Sequence, residues 1–290
     1  MKVLTIAVNN PLFIEIQYIT LKRYLQTDFE FVVFNDAKTW EDVTNFGDVT
    51  MRQQIEDVCK KNGIKCIPLL NEHHKQMQMA SHRHCDSLKV LVEYIKKERG
   101  EYLVLDSDMC LIDNLDINTY RNFMCACVLQ KREQLYIWPN LFYLDTEKMT
   151  ENELLIFDLS LVPGADTGSA SWVWLKSFGY TYPSLEAVHN APETLVNDRF
   201  YFIKHLSSGN WKLFDLPNNM LNPKYRTLIE YIQKDGRNNM CEGNKYYGEI
   251  YDNVFYHYRG GSNWANFGKE FHYYMIKLLH QVITELVESL

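Results

Sequence analysis

Between residues 2 and 106 the sequence alternates short apolar, β-branched runs with longer stretches whose apolar residues recur at helical spacing, which leaves few folds open. "KVLTIAV" (2–8) predicts a strand, "LFIEIQYITLKRYL" (12–25) a helix, and "FEFVVF" (29–34) a second strand running into Asn35 and Asp36. "TMRQQIEDVCKKNG" (50–63) predicts a helix with Thr50 near its start and Gly63 just past its end, and "IKCIPLL" (64–70) a third strand. "SHRHCDSLKVLVEYIKKERG" (81–100) reads as a helix capped by Ser81 and stopped by Gly100, and "EYLVLD" (101–106) as a fourth strand. Strands separated by helices imply an α/β chain: a Rossmann-like, mostly parallel central sheet with helices on both faces.

Beyond residue 120 the pattern loosens. "FMCACVLQKR" (123–132) and "YIWPNLFYLD" (136–145) predict strands, and Pro139 marks a turn or bulge because proline cannot donate to a central ladder. Cys125 and Cys127 alternate in an apolar run and are expected on one face. "LVPGADTGSASWVWL" (161–175) is a turn-rich loop entering an apolar segment, and residues 209–249 read as loops around a short helix. "NVFYHYRGGSNW" (253–264) predicts a last strand with a glycine turn. The tail from Lys269 to Ser289 is an amphipathic helix with Phe271, Met275, Leu278, Leu279, Val282 and Leu286 in one stripe. At 290 residues, 46% hydrophobic, the chain suits one domain with a substantial core.

A net charge of −7 without a lysine- or arginine-rich run disfavours nucleic acid and anionic membrane as partners. The opening "MKVLTIAVNNPLF" is a strand rather than a signal peptide, and no window approaches a membrane span. Seven scattered cysteines suit a reducing compartment, so the expectation is a soluble, cytoplasmic protein. His73, His74, His82, His84 and Cys85 do not have the spacing of a four-ligand structural zinc site.

The fourth strand runs straight into Asp106-Ser107-Asp108, although burying an unpaired carboxylate is very costly. Open parallel sheets bind ligands beyond the carboxyl ends of their strands. In an extended segment the i, i+2 spacing sends both carboxylates to one side, where they suit Mn²⁺ or Mg²⁺; a solvated aspartate turn is the other reading. The helix beginning at Ser81 places its N-terminus at the same edge. Its core stripe of Leu88, Val92 and Ile95 extends back through His84 and Ser81, with Arg83 alongside, and free N–H groups there favour an anion such as a diphosphate. Trp138, Trp172, Trp174 and Trp264 are available to stack on sugar faces.

An apolar strand followed by DxD resembles the first motif of the haloacid-dehalogenase phosphatases, in which Asp106 would be the nucleophile. Here the motif falls in the fourth strand and continues into Met109 and Cys110, unlike that family. "SHRHCDSLKVLVEYIKKERGEYLVLDSDM", "YIWPNLFYLD", "GADTGSASWVW" and "FYHYRGGSNW" together resemble, in order, segments of the GT-A glycosyltransferases. That resemblance spans residues 1 to 265 and implies a metal-dependent enzyme moving a sugar from a nucleotide diphosphate, UDP foremost, to a glycan or other acceptor hydroxyl. It implies a nucleotide-binding half (1–119), an acceptor-binding half (120–265) and a C-terminal helix (266–290). His257 would complete a metal site with Asp106 and Asp108, and Arg259 would add a second positive contact. Val8, Asn9, Asn35 and Asp36 would read base and ribose, while Arg83, His84, Asp106 and Ser107 would meet the rest of the donor. Asp166 in "GADTGS" is the candidate general base for an inverting transfer, with Gly164 and Gly168 letting the backbone pass close to a ligand. A non-catalytic sugar-binding protein is the remaining alternative.

Overall fold

The computed structural model describes residues 1–131, 134–180, 195–196, 198–261 and 267–289; Trp264 lies outside them. The first part alternates as the sequence implies: β1 (Lys2–Ala7), α1 (Leu12–Tyr24), β2 (Glu30–Asn35), α2 (Met51–Lys61), β3 (Lys65–Pro68), α3 (Ala80–Lys97) and β4 (Glu101–Asp106). The chain continues through β5 (Met109–Leu111), α4 (Ile117–Arg121), β6 (Cys125–Lys131), β7 (Leu135–Asp145), α5 (Glu151–Ile156) and α6 (Ser171–Ser177). It ends with β8 (Leu195–Val196), β9 (Phe200–Phe202), β10 (His205–Leu206), α7 (Arg226–Lys234), β11 (Glu249–Tyr251), β12 (Phe255–His257) and α8 (Lys269–Glu288).

The large sheet has the order β3-β2-β1-β4-β7-β6-β9-β8. Its first four strands are parallel, β7 runs antiparallel to both β4 and β6, and β9 is parallel to β6. The protein is therefore a mixed α/β fold with a mainly parallel central sheet. Strand alternation sends Leu4, Ile6, Val32, Phe34 and Val104 to the face covered by α3, and Val3, Ala7, Val33, Leu103 and Leu105 to the face covered by α1 and α2. Cys125 and Cys127 share the α3 face, and all seven cysteines are free thiols. Pro139 sits inside β7 opposite a register shift between Cys127 and Leu129, the bulge that its missing N–H requires.

A second, four-stranded sheet, β10-β11-β12-β5, carries its own apolar core with α7, α8 and one face of α1. The α8 stripe delivers Met275, Leu279, Val282 and Leu286 into it, with Phe271 and Leu278 at its margin. No helix among the described residues is long and apolar enough to cross a membrane.

One helix start differs from expectation. α3 begins at Ala80 after Met79 with no side-chain cap, so Ser81 lies inside the first turn. At α2 Thr50 stands just before the first helical residue, as expected, and Asp48 Oδ1 accepts from its N–H at 2.9 Å.

Candidate active site

The acidic pair sits where the chain passes from one sheet to the other. β4 ends at Asp106, Ser107 and Asp108 turn, and β5 departs at Met109 into the small sheet. The expected single extended segment is thus a strand–turn–strand. Buried Gln17 of α1 holds the turn from beneath, its amide donating to the carbonyls of Asp106 at 2.7 Å and Met109 at 2.9 Å. β12 pairs antiparallel with β5, placing His257 opposite Met109, and the Tyr258 N–H donates to the Asp108 carbonyl at 2.9 Å. This ladder brings an imidazole and a carboxylate 149 residues apart into contact, His257 Nε2 lying 3.0 Å from Asp108 Oδ1.

Asp106 Oδ2 lies 3.9 Å from the same nitrogen, and the three side chains offer ligand atoms within 4.8 Å of one another. Asp108 and His257 are buried, and Asp106 is partly open. Burial, then the charge of Asp108, pushes the Asp106 carboxyl up to about 7. Burial alone would lower the His257 pKa, but Asp108 and Glu249 outweigh it and push the imidazole up to about 10. Two carboxylates crowding one imidazole form an oxygen–oxygen–nitrogen set suited to a divalent cation. The residues present fit a divalent cation, which Asp106, Asp108 and His257 could hold.

Glu249 on β11, which the sequence reading missed, backs this site. Its Oε2 lies 2.8 Å from His257 Nδ1 and accepts from the Tyr251 hydroxyl at 2.7 Å, while Oε1 accepts from the Ser208 N–H at 3.0 Å. Burial opposes its charge, yet His257 and Arg259 bring it down to about 2. The ring of Trp138 packs edge-on against His257 with centroids 5.7 Å apart, so this tryptophan walls the site.

His73, His74 and Asp86 also converge, with Nε2–Oδ2 distances of 2.8 and 3.1 Å. Hydrogen bonding separates the two clusters. Lys38 Nζ lies 2.7 Å from His74 Nδ1, and an ammonium has no acceptor, so Nδ1 accepts and the ring proton sits on Nε2, facing Asp86. At His257 both ring nitrogens face carboxylates, Glu249 at Nδ1 and Asp108 at Nε2, so Glu249 can keep the Nδ1 proton when a cation replaces the proton on Nε2. The first arrangement is a hydrogen-bonded relay; the second is suited to ligation.

A cleft of about 440 Å³ opens at the carboxyl ends of the parallel strands, with Val8, Asp36, Lys38, Arg83, His84, Asp106, Ser107 and Asp166 among its lining. Eight of the residues singled out from sequence meet different fates here. Val8, Arg83, His84, Ser107 and Asp166 line it; Arg83 also donates to Asp42 at 2.7 Å and to the Met77 carbonyl at 2.8 Å. Asn9 is buried, donating to the carbonyls of Thr44 and Gly261 at 3.0 Å each. Asn35 is buried, donating to the Arg52 carbonyl at 3.0 Å and accepting from the Ala37 N–H at 3.2 Å. Both asparagines brace loops instead of lining the cleft, because a strand-end amide is drawn to unpaired loop backbone. Asp36 reaches the cleft with its oxygens already engaged by Lys38, Asn71 and Ser87 at 2.7–2.8 Å. Lys38, a buried cation, is the second feature that sequence reading missed.

Other placements correct the sequence reading. β12 stops at His257, and Arg259 turns away in the left-handed region (φ 57°), pairing with Glu249 at 3.3 Å outside the cleft lining. Trp174 is core, packed edge-on against Phe157 and Phe200. Gly168 (φ +86°) lets the chain approach the Ile137 carbonyl and Pro139 of β7, where a Cβ would clash, so its close approach is to protein and not to a ligand.

Fold and site together define an α/β protein with a buried carboxylate–imidazole group at the mouth of a strand-end cleft. No protein-family model matches the chain, and no curated protein matches it. Among solved structures it is similar to the galactosyltransferase LgtC in complex with donor and acceptor sugar analogs, at 11% identity and a TM-score of 0.34, covering 62% of this chain and 67% of that one. It is also similar to an active-site mutant of LgtC, at 14% identity and a TM-score of 0.34, covering 66% and 69%.

Proposed function

We propose that the protein is a metal-dependent glycosyltransferase that moves a sugar from a nucleotide diphosphate, UDP foremost, to an acceptor hydroxyl. The observation that carries this reading is the meeting of Asp106, Asp108 and His257 at the edge of the strand-end cleft. A net-negative chain that binds a diphosphate needs local positive charge, and this set is built to hold it. When bound there, Mn²⁺ or Mg²⁺ supplies Lewis-acid stabilisation of the departing diphosphate.

In this reading Asp106 and Ser107 face the diphosphate, Val8 meets the base, and Asp36, held by Lys38, forms the floor near the ribose. Arg83 and His84, on the first turns of α3, orient the sugar and phosphates. Asp166, also in the cleft lining, accepts the proton of the acceptor hydroxyl, which makes the transfer inverting. Residues 1–119 then serve the nucleotide, residues 120–265 the acceptor, and residues 266–290 buttress the small sheet.

The test is thermal-shift and calorimetric titration with a panel of nucleoside diphosphates and nucleotide sugars, with and without Mn²⁺, followed by donor hydrolysis. Metal-dependent binding of one nucleotide and slow donor hydrolysis are expected. Phosphate release from simple phosphoesters with a phosphorylated Asp106 would replace this reading with a phosphatase. Sugar binding without nucleotide binding would replace it with a non-catalytic protein.

A further inference from the structure

The candidate cation site has an asymmetry that three ligands alone do not explain. His257 is reached from both sides of its ring: Nε2 faces Asp108 at 3.0 Å and Asp106 at 3.9 Å, and Nδ1 faces Glu249 at 2.8 Å. An imidazole that ligates through one nitrogen must carry its proton on the other, and it needs an acceptor there. We propose that Glu249 is the positioning residue for the cation, fixing the Nδ1–H tautomer and the ring plane of His257 so that the Nε2 lone pair points between Asp106 and Asp108. The proposal rests on the reading of those three residues as a metal site.

The surroundings of Glu249 fit this role. It is buried in the small sheet, with His257 directly across the β11–β12 ladder. Its carboxylate is fixed by the Tyr251 hydroxyl at 2.7 Å, the Ser208 N–H at 3.0 Å and the Arg259 guanidinium at 3.3 Å. Held at four points, it has little freedom to rotate, and the orientation passes to the imidazole. Trp138 and Tyr251 pack against the ring, with centroids 5.7 and 6.1 Å away, and limit its tilt. The His73–His74–Asp86 cluster is the internal contrast: there Nδ1 faces a lysine, the proton is forced onto Nε2, and the nitrogen facing the carboxylate is occupied.

The test measures Mn²⁺ affinity directly, by the loss of the free-ion EPR signal, on the full chain without nucleotide. Glu249→Leu is expected to weaken Mn²⁺ binding about 10- to 100-fold, the usual loss when the partner of a ligating histidine is removed. Glu249→Gln keeps an acceptor oxygen for Nδ1–H and is expected to recover most of that loss, which a merely structural role would not require. Equal Mn²⁺ affinity in folded Glu249→Leu and wild type overturns the proposal. A second measurement does not depend on the variants folding: in Zn²⁺-loaded wild type, two-bond ¹H–¹⁵N correlations should place the His257 proton on Nδ1, with the resonance assigned by its loss in His257→Gln. A proton on Nε2 overturns the proposal. Absence of Mn²⁺ binding by wild type overturns the metal reading itself, and the inference with it, an outcome distinct from the failure of Glu249 alone.

Discussion

The backbone N–H of Gly261 donates to Oδ2 of Asp108 across 2.7 Å, and a methyl group at Gly261 would meet that same oxygen at 2.8 Å. The glycine both orients the carboxylate and leaves it room. Its methyl would also press on Phe13 at 2.8–2.9 Å. Gly261→Ala is therefore expected to destabilise the fold by about 1–3 kcal/mol, as overpacking does, and to weaken Mn²⁺ binding. Urea unfolding and metal titration check the two effects; a variant with wild-type metal affinity would separate the glycine from the site.

Asp166 lines the cleft, with its Oδ1 taking the Thr167 N–H at 2.8 Å. Asp166→Asn preserves that hydrogen bond but removes the proposed base. Donor binding is expected to persist while transfer falls about 10²- to 10⁴-fold, the usual contribution of a positioned base. NMR of the product anomer is expected to show inversion; a retained configuration would strip Asp166 of this role.

Lys38 and Asp36 form an ion pair at 2.8 Å with both side chains almost wholly buried. Lys38→Met leaves a buried carboxylate uncompensated and is expected to cost about 3–5 kcal/mol. The double variant Lys38→Met/Asp36→Asn should recover a large part of that loss, because no lone charge remains. Unfolding free energies around the complete mutant cycle decide it, and additive losses would show that the two side chains are not coupled.

His272 supplies a pH dependence away from the proposed metal site. It is buried beside the Tyr258 hydroxyl at 2.9 Å, and burial, then the nearby Arg237 charge, lowers its pKa to about 4. The unfolded chain binds this proton near pH 6.5, so the group contributes stability above that pH and loses it as the pH falls toward 4. His74 and His84 are lowered as well and act in the same direction. The readout is therefore a difference: His272→Gln should unfold with a shallower pH slope than wild type between pH 6.5 and 4.5, and identical slopes would refute the assignment.

The βα alternation was legible because burial on two sheet faces and one helix face writes its period directly into the residues. The helix starts were less so. Ser81 has the chemistry of a cap, but the chain turns helical at Ala80 and leaves it no such position. Asn9 and Asn35 were placed at the correct strand ends, yet side-chain direction there is decided by loop backbone that no local pattern specifies. The pairing of Asp108 with His257 came from family resemblance, since no spacing rule joins residues so far apart. Gln17, Lys38 and Glu249 escaped notice for the same reason: each is isolated in an ordinary helix, loop or strand, and acquires meaning only when distant segments pair. For Glu249 a faint signal exists, an acidic residue two before Tyr251 on a short apolar strand whose neighbour carries a histidine.

The β5–β12 ladder has a consequence for how this protein matures. Because one strand begins at the acidic turn and its mate ends in the histidine, a nascent chain that has not yet exposed β12 holds a carboxylate pair with no imidazole to answer it. The proposed cation site would then assemble abruptly, only when β12 has paired with β5, as a token that the far segment has come home. Any half-built or mispaired copy would lack that three-residue set.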